Sequence, residues 1–194
     1  MSDDDRGNVA AALTAISDAP IYIDDTQSQC VSQIRSKCRK LKQENGIGLV
    51  FIDYVQLIRG GYRSDIVTWG VAQDLKALAV ELDCPVIVLS QLRRAVENRS
   101  DHRPILSDFR FTGDKYLDVG FLPGLISHSK KAIPESAGID EYADVVLFLY
   151  RNDYYNPDSG NKGIAELITA KHPSGKTGTS KLYFQSEYAR FNNV

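Results

Sequence analysis

Three apolar runs in this chain end in side chains able to do chemistry. LVFI (Leu49–Ile52) runs into Asp53, VIVL (Val86–Leu89) into Ser90 and Gln91, and LFLY (Leu147–Tyr150) into Arg151, Asn152 and Asp153. In open α/β sheets, ligands gather outside the carboxyl ends of the strands, so these tips are where a site belongs. A carboxylate ending a buried strand suits the Mg²⁺ of a bound nucleoside triphosphate, usually reached through water. It also suits the humbler task of capping a helix, and the pattern alone leaves both readings open.

Other candidates are weaker. Ser174-Gly175-Lys176-Thr177 has the look of a phosphate loop, but the place five residues before Gly175 is held by Ala170, and no helix pattern follows. It reads as a turn. Cys30, Cys38 and Cys84 form no Cys-x-x-Cys, and His102, His128 and His172 have no zinc spacing. Reduced thiols and no structural metal are expected.

The elements that must position the strand tips follow from periodicity. Ala10–Ile16 reads as a short helix and Ile21–Asp24 (IYID) as a strand. Thr26 or Ser28 is expected to cap a helix that stops at Gly46, with Val31, Ile34, Cys38 and Leu41 on its inner stripe. Arg35, Lys37, Arg39, Lys40 and Lys42 face outward, either as a solvated surface or as a nucleic-acid patch. The run Leu49–Val55 has the unbroken apolar character of a strand buried on both faces. Val71–Leu82 predicts a helix, Pro85–Leu92 a second buried strand, Glu135–Asp144 a short helix and Val145–Tyr150 a third strand. Ile164–Lys171 and Ser180–Gln185 close the chain as strands joined by a turn. Strand–helix alternation followed by hairpins indicates an α/β sheet that gains antiparallel strands toward its C-terminus.

With 194 residues, 43% hydrophobic and 25% charged, the chain suits one soluble domain. A net charge of -2 excludes a global basic field, so any nucleic-acid contact must be a local patch. No apolar run reaches membrane-spanning length, and the acidic start has no signal-peptide core, so a cytoplasmic location without membrane contact is expected.

Taken together, LVFIDYVQLI, LKALAVELDCPVIVLSQLRRAVENRSDHRPILSDFR, ESAGIDEYADVVLFLYRNDYY and ITAKHPSGKTGTSKLYFQSEYARF resemble, in that order, one known domain. It is the C-terminal motor domain of bacterial replicative DNA helicases, the DnaB-type ring helicases. The resemblance implies a RecA-like twisted, largely parallel sheet, helices on both faces and antiparallel C-terminal strands. It also implies a partial motor domain spanning 1–194 with an insertion at 111–134. The implied activity is ATP-dependent unwinding of DNA during replication.

Residue roles follow from the same resemblance. Asp53 would be catalytic, holding the Mg²⁺ of bound ATP, and Gln91 would be the sensor of phosphate state. Lys171 would meet the nucleotide of a neighbouring subunit. Arg93, Arg94, Arg99, Arg110, Glu135 and Ser136 would belong to the loops gripping single-stranded DNA. Implied partners are that DNA, five further subunits in a hexameric ring or full-length helicase subunits, and also a primase and a loader.

Departures from the family pattern shape the expectation for this chain. No Gly-x-x-x-x-Gly-Lys-Ser/Thr precedes Asp53, so the phosphate cradle of the P-loop is missing. Lys171-His172-Pro173 stands where the family reads Lys-x-Arg, so proline replaces the arginine finger, a group worth about 10³-fold or more in rate. Phe111–Pro134 interrupts the DNA loop as an excursion expected to lack regular structure. This chain alone is therefore expected to be an inactive, truncated copy of the motor. The alternative is a non-catalytic fragment that joins or inhibits a helicase ring.

Overall fold

In a computed structural model of the chain, residues 3–59, 67–109, 116–118, 130–132 and 138–194 are described. A first helix, α1 (Asp3–Ser17), is longer than its apolar core predicted. Val9, Leu13 and Ile16 fall on one stripe of it and all are exposed.

The expected strand at Ile21–Asp24 does not form: the segment is irregular, and Ile23 is 88% exposed. Four residues without a partner strand gain no ladder bonds to offset their ordering. The helix after it, α2 (Val31–Asn45), starts later than expected. Its cap is Cys30, whose N–H donates to the Gln33 side chain at 3.0 Å, while Thr26 and Ser28 lie outside. The helix ends as predicted, at Gly46 in the left-handed region (φ 65°), whose N–H donates to Lys42 O. Val31 and Cys38 bury the inner stripe.

Strand β1 (Val50–Ile52) lies parallel to β2 (Val86–Val88), in the register Val50–Val86 and Ile52–Val88. Between them runs α3 (Val67–Leu82), whose Val71, Leu75, Leu78 and Leu82 recur at helical spacing and are all buried. The core sits between α2, α3 and one face of this pair, and Leu78 (0% exposed) and Val55 (1%) form its centre. Burying two such side chains contributes about 2 kcal/mol each.

A second sheet has the order β5 (Val146–Arg151), β6 (Ile164–Lys171), β7 (Gly178–Gln185) and β8 (Arg190–Asn193), antiparallel throughout. Within the segment 111–134, expected to lack regular structure, β3 (Tyr116–Asp118) and β4 (Lys130–Ala132) pair antiparallel. Two short helices flank β5: α4 (Ile139–Tyr142) before it and α5 (Asn152–Tyr155) after it. The turn at 172–175 joins β6 to β7, as expected, with Gly175 N–H donating to His172 O at 3.1 Å. A Cβ on Gly175 would collide with the His172 ring, so this position admits only glycine without movement of that ring.

The third apolar ribbon thus stands apart from the first two. Among the described residues β2 pairs only with β1, and β5 only with β6, so each keeps one unpaired edge. Among those residues, α2 and α3 pack on one face of the parallel pair. On the other face Phe51 (57% exposed) and Ile87 (45%) meet solvent, and β5 alternates buried Val146, Phe148 and Tyr150 with exposed Leu147 and Leu149. The sequence pattern of strands buried on both faces is real, but the described residues supply one layer of cover.

Candidate nucleotide and nucleic-acid site

Parallel pairing brings the tips of β1 and β2 to the same edge, and with them Asp53 and Gln91. Asp53 follows β1 directly, at a cis Asp53–Tyr54 peptide, and is exposed. Its carboxylate accepts no hydrogen bond from the described residues, which leaves both oxygens open to solvent or a cation. Val55 N–H donates to Leu89 O at 2.9 Å and Leu89 N–H to Ile52 O at 2.9 Å, the last backbone bonds between the two tips. Beyond them the Gln56 side chain crosses the gap. Its Nε2 donates to Ser90 Oγ at 3.1 Å and to Gln91 O at 3.2 Å, and its Oε1 accepts from Gln91 N–H at 3.3 Å.

A cavity of about 470 Å³ opens beside Gln91 and reaches the carboxyl end of β5. Gln91, Arg93, Arg94, Tyr150, Arg151 and Tyr155 line it, while Asp53 and Lys171 do not. One wall is a set of stacked rings absent from the sequence-based expectations. His102 and Tyr155 stack at 4.3 Å, Tyr154 meets Tyr155 edge-on at 5.1 Å, and Tyr150 lies parallel to Tyr155 at 6.1 Å. Burial pushes the Tyr150 and Tyr155 hydroxyls up from their ordinary values; for Tyr155 the Glu97 carboxylate, accepting its O–H at 3.1 Å, adds to the rise. The signal for this wall was the doubled tyrosine, Tyr154-Tyr155, four residues past the end of the third ribbon at Tyr150.

The arginines separate into two groups. Arg94 is exposed, at the start of a short 3-10 turn (Arg94–Asn98), and Arg93 borders the cavity. Arg99 is engaged within the chain. Its Nη1 donates to Asp108 Oδ1 at 2.8 Å and its Nη2 to Asp108 Oδ2 at 2.6 Å and to Arg103 O. Asp108 is 4% exposed and also accepts Ile105 N–H at 2.8 Å. The Arg99 fork, more than any other contact, holds the Asp108 carboxyl below its usual range, and Asp108 in turn raises Arg99. Arg103 forks onto Glu166 of β6 at 3.2 and 2.5 Å and lies over the Tyr150 ring. Arg110, Glu135 and Ser136 lie outside the described residues.

Lys171 ends β6 opposite the first residue of β5, Val146, whereas the cavity lies at the other end of β5. Three residues of strand separate Val146 from Leu149, the nearest residue of β5 lining the cavity, about 10 Å. The Lys171 Nζ donates to Asp140 O at 2.7 Å and Glu141 O at 3.1 Å, capping the carbonyl end of α4. Three of the five cations on the basic face of α2 are engaged by two carboxylates, Arg35 and Arg39 sharing Glu81 and Lys37 pairing with Asp24, while Lys42 donates to Ile47 O. That favours the solvated-surface reading over a nucleic-acid patch.

The profile of the DnaB-like helicase C-terminal domain matches residues 1–193. The chain belongs to that family. It is 46% identical over 198 residues to the replicative DNA helicase DnaB of Geobacillus stearothermophilus and 42% identical over 198 residues to the replicative DNA helicase DnaC of Bacillus subtilis (strain 168). Each match covers 100% of this chain and 38% of the relative, so the chain spans less than two fifths of their length. Among solved structures, one ATPase domain superposes with a TM-score of 0.81 at 37% identity, covering 100% of this chain and 62% of that one. A DnaB-like replicative helicase, studied with its interactions with primase, gives 0.82 at 38% identity, covering 100% of this chain and 42% of that one. The DnaB-like family assignment and the RecA-like α/β fold agree with the parallel pair and the antiparallel C-terminal strands.

Proposed function

We propose that this chain is part of a motor that couples ATP hydrolysis to the unwinding of DNA during replication, and that it contributes half of the fuel pocket. The observation carrying this reading is the common edge of β1 and β2, where a solvent-open Asp53 stands beside Gln91. Asp53 would hold Mg²⁺ through water and Gln91 would report phosphate state toward Arg93 and Arg94. Bound Mg²⁺-ATP supplies the phosphoryl group whose transfer drives motion.

The residues present fit that ligand in part. A carboxylate without a hydrogen-bond partner among the described residues suits a hydrated cation, but among those residues no group of three or more His, Cys, Asp or Glu converges on a metal. The sequence also holds no phosphate cradle upstream of Asp53. This half-pocket therefore needs a second part to bind triphosphate, and the chain alone is expected to turn over no ATP.

Arg93 and Arg94 carry the DNA contact in this reading, and Arg99 shapes their loop by holding Asp108; Arg110, Glu135 and Ser136, outside the described residues, are assigned to the DNA loop by the family resemblance alone. Lys171, about 10 Å along β5 from the nearest cavity-lining residue and outside that lining, would suit the pocket of a neighbouring subunit in a ring of six, not its own. A primase and a loader are the partners expected of the assembled motor.

A second reading is favoured by the exposed Phe51, Ile87, Leu147 and Leu149 and by the unpaired edges of β2 and β5. In it, the chain is a non-catalytic piece that joins or inhibits an intact ring. Mixing the chain with the full-length Geobacillus relative decides between isolation and assembly. Comigration on size exclusion, with ATP turnover lowered as chain is added, is expected of the second reading. DNA-stimulated ATP turnover by the chain alone would overturn the half-pocket.

A further inference from the structure

We propose that Gln56 is a positioning residue that sets the course of the backbone at Gln91 and so aims both Gln91 and the Arg93–Arg94 segment. The proposal deepens the motor reading, because it explains how the Asp53 tip is mechanically tied to Gln91.

The geometry is that of a ladder prolonged by a side chain. Backbone bonding between β1 and β2 ends at Leu89, whose N–H and C=O are both taken by the β1 side, from Ile52 and Val55. From there the two chains diverge, β1 into the 3-10 turn Val55–Leu57 and β2 toward Arg93. Gln56 bridges the divergence with a carboxamide, the one side-chain group that offers the same acceptor and donors as a peptide unit. Its Oε1 takes Gln91 N–H at 3.3 Å and its Nε2 gives to Gln91 O at 3.2 Å, the reciprocal pair that a neighbouring strand would make. The second Nε2 hydrogen reaches Ser90 Oγ at 3.1 Å, so the amide is fully used.

The base of this clasp is firm and its far end is not. Val55 (1% exposed) and Ile58 (6%) pin the 3-10 turn in the core on either side of Gln56. Gln91 is exposed, and the Gln56 amide holds both of its backbone groups. Any movement of the Asp53–Gln56 tip is thereby passed on through two hydrogen bonds to Gln91 and one to Ser90 instead of being lost in a solvated loop.

The test uses the full chain and two substitutions. Gln56→Met keeps length and flexibility but removes every hydrogen bond; Gln56→Glu keeps the acceptor for Gln91 N–H. Backbone amide exchange is followed at Gln91, with Leu89 N–H as the internal reference. Gln56→Met is expected to speed exchange at Gln91 by about five- to ten-fold while leaving Leu89 unchanged, and Gln56→Glu to return Gln91 to within about three-fold of the parent. Unchanged exchange at Gln91, or Leu89 accelerating in step with it, overturns the proposal; the latter would mean that Gln56 merely stabilises the strand pair. Binding of a fluorescent oligo-dT at low salt is measured on the same samples. Weaker binding by Gln56→Met, restored by Gln56→Glu, supports the aiming of Arg93 and Arg94. If the parent binds no oligonucleotide while Gln91 exchange still responds, the positioning role stands and the DNA reading fails.

Discussion

Arg99→Lys separates a structural arginine from a DNA-gripping one, because lysine preserves the positive charge and discards the fork. Arg99 makes two bonds to Asp108, at 2.8 and 2.6 Å, and a third to Arg103 O. A lysine ammonium is a single point donor and retains one of these. Two charge-assisted bonds are then lost, each worth roughly 1.5–3 kcal/mol where water is excluded. Arg99 keeps 31% of its side chain exposed, so water recovers part of the loss on that side, whereas Asp108 at 4% cannot be rehydrated. The net cost comes to about 2 kcal/mol. For a chain of this size that is a fall of about 4–8 °C in Tm, read by circular dichroism at pH 7. Oligo-dT affinity should stay close to that of the parent, since the Arg99 guanidinium is spent on Asp108 and Arg103 O. A Tm within 1 °C of the parent, with oligonucleotide affinity reduced several-fold, would refute the reasoning and return Arg99 to the DNA surface.

Acid should dissolve the same clasp. Asp108 is held below its ordinary range by Arg99, so its contribution is complete above the unfolded carboxylate pKa near 4 and is lost as pH falls through the folded value. The Tm difference between the parent and Asp108→Asn is therefore expected to shrink from pH 7 to pH 3, and a constant difference would contradict it. Gly46→Ala places a Cβ at φ 65° and should cost about 1 kcal/mol, seen as a lower urea midpoint with unchanged slope. Lys171→Ala removes the two bonds that cap α4 and should lower Tm by about 2–4 °C. In mixtures with the Geobacillus relative it should also change turnover more than Asp53→Ala does, because in the proposed ring Lys171 would serve a neighbour's pocket while Asp53 serves only its own half-pocket.

What could be read beforehand was local. The stripes Val31–Cys38 and Val71–Leu82 repeat at helical spacing, and Gly46 can hold a left-handed φ, so those helices were visible in the order of residues. The tips at Asp53 and Gln91 were visible too, since apolar runs ending in polar groups mark strand ends. Contacts between distant segments were not. Arg103 reaches Glu166, 63 positions on, and no spacing rule distinguishes it from a solvated loop cation. Ile21–Asp24 has the composition of a strand, but a strand exists only where another edge receives it, and none of the described residues does. The clasp by Gln56 was invisible for the same reason: its partners lie 34 and 35 residues away.

The split between the two sheets bears directly on what the chain can do. Parallel strands need helices on both faces, and the runs Leu49–Ile52 and Val86–Leu89 are apolar on both. Among the described residues α2 and α3 cover one face of the β1–β2 pair, Phe51 and Ile87 are exposed on its other face, and Leu147 and Leu149 are exposed on β5. The chain accounts for 62% of the solved ATPase domain it superposes on, so more than a third of that domain lies outside the match. Covering those four side chains would remove several hundred Å² of apolar surface, on the order of 5 kcal/mol. A chain that binds its second layer should lose affinity for a hydrophobic dye in proportion to assembly. Dye binding that persists in the comigrating complex would mean the exposed face is not the one that assembles, and the half-pocket at Asp53 would have to be completed from the unpaired edge of β2 instead.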